Sequence, residues 1–325
     1  MKRTTIALTS MLLLATISKG QEVAGKSPWG KDDEIGTLNM MTAESRLQAL
    51  DAIKAGKVYD LSVEYFVGMP GFNMMGDPTY QYWLTHTPRG TINDNPNWQG
   101  EQMNRKVSYT SDAISMFTHT GTHIDALNHF GLEGKIWNEF SADENLGDKG
   151  WKKAGAETIP PIVARGVLID VAAYKGVAVL EKNYRITSED LKGSLRKQGV
   201  QLKAGDVILI RTGQARLFEE AGKYVDHYPG VSFEAIQWLV ETQKIMIIGA
   251  DNLGLEAFPS ERKDNWVPVH SYLLAQKGMM FMEQLFLEEL SAEKVYEFAF
   301  IGAPLKLRGA SGSPLRPLAL PYYKQ

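Results

Sequence analysis

The chain contains no cysteine. Disulfides, thiol nucleophiles, thiolate metal ligands and lipid anchors on cysteine are therefore excluded. No cluster of lysine and arginine interleaves with aromatic residues, and the formal net charge is only −3. Neither nucleic acid nor an anionic membrane surface is then expected as a partner. Past residue 20 the sequence has no apolar run near the roughly 20 residues that a spanning helix needs. A dinucleotide fingerprint and a His-Glu-x-x-His helix are missing too. Gly309-Ala310-Ser311-Gly312-Ser313 approaches the Gly-x-Ser-x-Gly nucleophile elbow but fails at its last position. What remains is a globular composition over 325 residues, 44% hydrophobic and 22% charged, able to bury a core without covalent staples.

The first twenty residues differ from the rest. Lys2 and Arg3 give a basic start, residues 6–17 are largely apolar, and Ser18 and Gly20 stand at −3 and −1 of a cleavage after Gly20. That is the pattern of a secretory signal peptide, and the run is too short for a membrane anchor. Residues 21–325 are expected to form one exported domain, periplasmic or secreted. No repeat, linker or low-complexity segment divides them.

Thr42 is placed to cap a helix reaching Ala55, with Leu47, Leu50 and Ile53 on one face and Gly56 as its stop. A strand is expected over residues 58–66. Residues 77–105 read as a long irregular region carrying Tyr80, Tyr82, Trp83, His86 and Trp98. Such regions are often functional, and Trp83 is a candidate pocket wall for a flat substrate. An aromatic mini-core under a loop is the plainer alternative. Residues 131–160 read as loop and short helix. Strands are expected over 165–171, 206–210, 245–248, 279–282 and 296–301. Helices capped by Thr187 and Ser232 fall between them, the first ended by Gly199. This pattern argues for an α/β domain on a mixed sheet or partial barrel flanked by helices.

One stretch carries most of the chemistry. His119-Thr120-Gly121-Thr122-His123-Ile124-Asp125-Ala126-Leu127-Asn128-His129 holds three of the six histidines and one carboxylate. Imidazole and carboxylate are ordinary ligands of zinc and manganese. Alternating β-branched residues from Thr118 to Ile124 suggest a strand with His119, His123 and Asp125 on one face. A straight strand would hold His119 and His123 roughly 13 Å apart. That is too far for one ion held at about 2.1 Å from each nitrogen. A helical turn would suit 119 with 123 and 125 with 129, but not 123 with 125. A strand that breaks at or just after Gly121 satisfies both demands. Polar residues on a solvated strand and loop are the alternative without chemistry.

The stretch resembles the His-x-Gly-Thr-His-x-Asp-x-Pro-x-His signature of the cyclase family of metal-dependent hydrolases, which includes kynurenine formamidases, isatin hydrolase and trans-dienelactone hydrolase. Leu127 stands where the signature has proline. Trp29-Gly30 and Gly36-Thr37-Leu38-Asn39 resemble the opening of longer members, so the likeness runs from about Trp29 to the C-terminus. It implies a swivelling β/β/α domain. By matching position it implies that His119, His123 and Asp125 hold one divalent ion, Mn2+ or Zn2+. It also implies a second ion on Asp125, His270 and Glu283, with Asp125 bridging. Taken alone, His270 and Glu283 read as residues at helix starts. His129, left without a ligand role, is expected to act as general base and then general acid. Arg211-Thr212-Gly213 and Ser311-Gly312-Ser313-Pro314 resemble family stretches as well. Arg211 is therefore a candidate substrate contact, and otherwise part of a turn. His86 and His227 read as surface or structural residues.

The expected activity is opening of a cyclic amide or aryl formamide C–N bond by metal-activated hydroxide, on a small aromatic substrate. A lactone hydrolase would need the same chemistry with a different leaving group. A non-catalytic periplasmic protein that holds a ligand through its metal is the alternative from another class, and it would need no His129. The resemblance further implies a homodimer or higher homo-oligomer.

Overall fold

The computed structural model describes residues 22–322. The signal peptide expected over residues 1–20 lies outside the described residues. Nine strands form one mixed sheet curled into a half-barrel. In chain order they are Tyr59–Asp60 (β1), His123–Asp125 (β2), Ile162–Asp170 (β3), Val207–Arg211 (β4), Ile247–Ala250 (β5), Phe281–Glu283 (β6), Glu297–Gly302 (β7), Gly312–Pro314 (β8) and Leu318–Pro321 (β9). Across the sheet the order is β1-β9-β7-β3-β4-β5-β6-β2-β8. The four central strands β3 to β6 run parallel, and the other neighbouring pairs are antiparallel. Parallel strands covered on both faces need apolar side chains on both. The runs Val207-Ile208-Leu209-Ile210 and Ile247-Ile248 meet that need, and all six side chains are fully buried.

Helices flank this sheet where their caps predict them. Thr187 and Asp190 form a capping box on Ser188–Gln198, and Gly199 ends it at φ 71°. Ser232 caps Phe233–Gln237, which runs on as a π-turn to Thr242. A second such junction follows Pro268–His270, where the backbone widens to a π-turn over Ser271–Gln276. Turns of this kind recur at functional sites.

Three local expectations need correction. Thr42 does cap a helix, with Ser45 returning the bond, but it ends at Asp51. Leu47 and Leu50 are exposed, and Ala49 is the buried residue. The helix lies against β3 and β7, close enough that a small side chain fills the gap. Of residues 58–66 only Tyr59–Asp60 is strand. Beyond it the chain leaves the sheet, and Val63 N donates to Thr122 Oγ1 instead. Residues 77–115 are less irregular than expected. Gln81–His86 pairs with Ser111–Ser115 as an antiparallel ribbon, with the helices Pro88–Asp94 and Glu101–Lys106 between.

Residues 20–27 spell the Gly-x-x-x-x-Gly-Lys-Ser of a phosphate loop. The context is wrong for one. Residues 22–27 carry neither strand nor helix, and Gly25 N donates to Ala275 O. A phosphate cradle needs a strand before the loop and a helix after it.

Candidate metal centre

The histidine-rich stretch turns rather than extends. Gly121 sits at φ 63°, and a Cβ there would meet Tyr65 Cζ at 2.6 Å. The chain folds over the Tyr65 ring, whose hydroxyl lies 2.9 Å from the carbonyls of both Thr120 and Thr122. Strand geometry resumes only at His123. This brings the His119 and His123 ring centroids to 5.1 Å. On the far side, Gly312 of β8 leaves room for His119, since a Cβ there would lie 2.5 Å from its Cε1.

Sheet register then does the rest. β2 lies between β6 and β8, and His123 stands directly opposite Glu283. His123 Nε2 is 3.3 Å from Asp125 Oδ1 and 3.4 Å from Glu283 Oε2. His119 Nδ1 is 2.6 Å from Asp125 Oδ1, and its Nε2 is 3.0 Å from Ser311 Oγ. His270 Nε2 reaches Glu283 Oε1 at 3.5 Å. His129, on the turn after β2, is 3.7 Å from Asp125 Oδ2 and stacks on His119 at 4.0 Å between centroids. Two triads have ligand atoms close enough to share a cation: His119, Asp125 and His129, and Asp125, His270 and Glu283. They share Asp125. The second is the set implied for a second ion. In the first, His129 takes the place that the resemblance gives to His123.

The donor set fits a divalent cation. His123 Nε2 and Glu283 Oε1 are buried without a hydrogen-bond partner. Orphaned buried polar atoms are costly, and a cation among them would satisfy both. His123 Nδ1 donates to Gly121 O at 2.8 Å, which leaves Nε2 with a free lone pair. His270 Nδ1 is bound by Glu256, which turns His270 Nε2 toward Glu283 in the same way. Imidazole nitrogen and carboxylate oxygen suit zinc and manganese alike.

Electrostatics point the same way. Burial opposes protonation of His123, but the Asp125 and Glu283 carboxylates beside it outweigh that and raise its pKa to about 10. Burial likewise opposes charging of His270, and the Glu256 carboxylate with Glu283 raises it to about 10. Burial would raise Asp125, yet the neighbouring His119 and His129 hold it well below the usual carboxylate range. His129 is pushed well below its ordinary value by burial and then by His119. The cluster is built to contain positive charge.

His119, Asp125, His129, His270 and Glu283 line a cavity of about 120 Å³. Phe72, Phe117, Phe130, Phe258 and Trp266 wall it, with Tyr228 and Asp77 as further polar lining. Phe130 meets the His129 ring edge-on at 4.6 Å and His270 at 5.1 Å. A larger groove of about 840 Å³ beside Glu64, Arg216 and Glu288 gathers no such ligand cluster.

Two candidate substrate contacts sit elsewhere. Trp83 is on the ribbon and 46% exposed. It does not line the cavity. Arg211 is buried at the end of β4, with Nε 2.8 Å from Glu288 Oε1 and Nη1 2.9 Å from Asp170 Oδ1. Its guanidinium is saturated by two carboxylates and also lies outside the cavity lining. His227 is exposed, and His86 packs beside Tyr109. Glu256, Tyr228 and Phe72 carried no local signal in the sequence. They reach the site through loops that only the tertiary fold brings near.

Known proteins resemble this chain in sequence and fold. The model of the family described as "Putative cyclase" matches residues 59–257. That span includes the histidine-rich stretch and Glu256 but ends before His270 and Glu283. Isatin hydrolase of Roseibium aggregatum is 25% identical over 208 residues, covering 62% of this chain and 71% of its own. Kynurenine formamidase of Bacillus cytotoxicus is 25% identical over 208 residues, covering 64% of this chain and 78% of its own. A crystal structure described as a novel cyclase superposes with a TM-score of 0.80 at 28% identity, over 92% of this chain and 100% of that one.

Proposed function

The chain belongs to the cyclase family, and from that premise we propose that this metal-dependent hydrolase opens the C–N bond of a cyclic amide or an aryl formamide. One observation carries the reading. Two buried, unpartnered ligand atoms, His123 Nε2 and Glu283 Oε1, lie in a carboxylate–imidazole cluster beneath an aromatic-walled cavity.

His119, His123 and Asp125 would hold one ion and Asp125, His270 and Glu283 a second, with Asp125 shared. A bound divalent ion acidifies water from 15.7 toward about 7 and polarises a carbonyl. The protein's own groups do the rest. His129 is held unprotonated near neutral pH by burial and by His119. Its side chain is the most open of the cluster at 23% exposure, so it faces the cavity. There it takes a proton from the attacking water and returns it to the leaving nitrogen. Phe130 and Trp266 stack against a flat ring and keep bulk water out. Water and amide thereby become carboxylic acid and amine.

The pattern of residues 1–20 supports export to the periplasm or beyond. The exposed Tyr82, Trp83 and Leu84 on the ribbon support assembly into a homodimer or larger homo-oligomer.

The test is an absorbance screen of purified protein loaded with manganese or zinc. Isatin, phthalimide, N-formylaniline and a dienelactone are the probes. Turnover of an amide or imide that vanishes on chelation is the expected result. Turnover of the dienelactone alone would move the assignment to lactones. Turnover untouched by chelation, or none at all, would overturn it.

A further inference from the structure

Tyr228 is a buried phenol, 5% exposed, whose hydroxyl has no hydrogen-bond partner. It lines the same cavity as His119, Asp125, His129, His270 and Glu283. The cavity is small, about 120 Å³. The ligand cluster and this hydroxyl therefore border one confined space, open to a carbonyl group. An orphaned buried donor is unfavourable until an acceptor arrives.

The backbone on either side of Tyr228 is pinned, and its ring is packed. Asn183 N donates to His227 O at 2.7 Å, and Gly230 N donates to Tyr184 O at 2.9 Å. Asn252 Nδ2 donates to Pro229 O at 2.6 Å. Phe258 meets the Tyr228 ring edge-on at 6.1 Å. Gly254 makes space for the hydroxyl, since a Cβ there would lie 2.5 Å from Oη. Burial and the nearby charges of Glu283 and Glu256 push the phenol well above its ordinary pKa, so it keeps its proton. It is a fixed neutral donor that cannot act as a base.

We propose that Tyr228 Oη donates a hydrogen bond to the carbonyl oxygen of the bond being cleaved, and that this bond tightens as the oxygen gains negative charge. The inference rests on the hydrolase reading above. As the water oxygen bonds to the carbonyl carbon, the π-electron pair moves onto the carbonyl oxygen, where Tyr228 meets it. On collapse the pair returns, the C–N bond breaks, and His129 protonates the nitrogen. Tyr228 keeps its own proton throughout.

The experiment compares wild type with Tyr228→Phe, both loaded with manganese, on isatin and phthalimide. Bound metal is measured in each, as are the affinities for phenylphosphonate, a tetrahedral oxyanion, and for benzoate. The expected kcat loss is about 10²-fold, the scale of removing one oxyanion donor. KM and bound metal should stay within about threefold, and the phosphonate should weaken at least tenfold more than benzoate. Gly254→Ala, which displaces the hydroxyl, should reproduce the loss of kcat and guards against a folding artefact in the first variant. A kcat within threefold of wild type overturns the proposal. So does a loss confined to KM, or one that tracks loss of metal. If wild type turns over neither probe, the hydrolase reading fails. The phosphonate-to-benzoate ratio then decides Tyr228 alone, and an unchanged ratio rejects it.

Discussion

Glu256→Gln changes one atom in a residue that is 1% exposed and does not itself line the cavity. The Glu256 carboxylate accepts from three donors. Oε1 takes His270 N at 3.0 Å and His270 Nδ1, and Oε2 takes Val269 N at 3.3 Å. Glutamine keeps the shape but offers a single acceptor oxygen. That oxygen can serve the two His270 groups or Val269, not both, and the new NH2 then faces an N–H. Losing one bond to a charged acceptor and stranding its donor costs about 2–4 kcal/mol of stability. The sharper effect is on the ring. Without the carboxylate, His270 loses the partner that fixes its tautomer with Nε2 toward Glu283. Removing such a partner weakens metal binding by about 10–100-fold, or roughly 1.4–2.7 kcal/mol. Calorimetry of the chelated and loaded forms measures the first quantity. Competition against a chelator of known affinity, at about pH 7.5, measures the second directly. A lower Tm with unchanged metal affinity would refute the reasoning, because Glu256 would then be a loop clamp with no hold on the ion.

Three further outcomes follow from the same geometry. His129→Ala should retain its ion by elemental analysis while turnover falls about 10²–10⁴-fold, the usual share of a general base; loss of the ion would make His129 a ligand. Gly121→Ala places a Cβ 2.6 Å from Tyr65 Cζ at φ 63°. It should lower Tm and weaken metal uptake, since the left-handed backbone alone costs about 1–2 kcal/mol; an unchanged melting curve would show the turn to be unstrained. The third concerns pH. His123 and His270 are each raised to about 10 from an ordinary value of 6.5 when protons alone balance the carboxylates. Their stabilisation is complete below about pH 6.5 and lost as pH rises through 10. Chelated protein should therefore melt progressively lower across that window, and loaded protein much less so. A flat profile for the chelated form would contradict the charge balance described above.

What could be read from residue order follows a physical line. Local rules act within a few residues, and where they governed, the structure agrees. The Thr187–Asp190 box and Gly199 bound their helix within a residue. The apolar runs of β4 and β5 lie at the sheet centre. The need for His119 and His123 to converge predicted a strand breaking at or just after Gly121; the turn is at Gly121, but the strand begins only after it, at His123. Where partner choice is tertiary, the same rules were silent. Nothing around Glu256 marks it as the acceptor for His270, because that contact spans a loop and a helix junction. Leu47 and Leu50 have helical spacing toward a core, yet the close approach of β3 leaves room only for Ala49. Arg211 follows a strand as a pocket residue would, but Asp170 and Glu288 claim it from segments distant in sequence.

The interleaving of β2 between β6 and β8 has a consequence for biosynthesis. A ribosome releases residues 119–129 long before it has made residues 281–314. During that interval the histidine-rich turn has no neighbouring strand on either edge, no Glu283 opposite His123, and no Ser311 beside His119. A nascent chain can therefore offer a passing cation only a fragment of the nest. The Asp125–His270–Glu283 set is complete only once translation is nearly finished, whereas His119, Asp125 and His129 are already made.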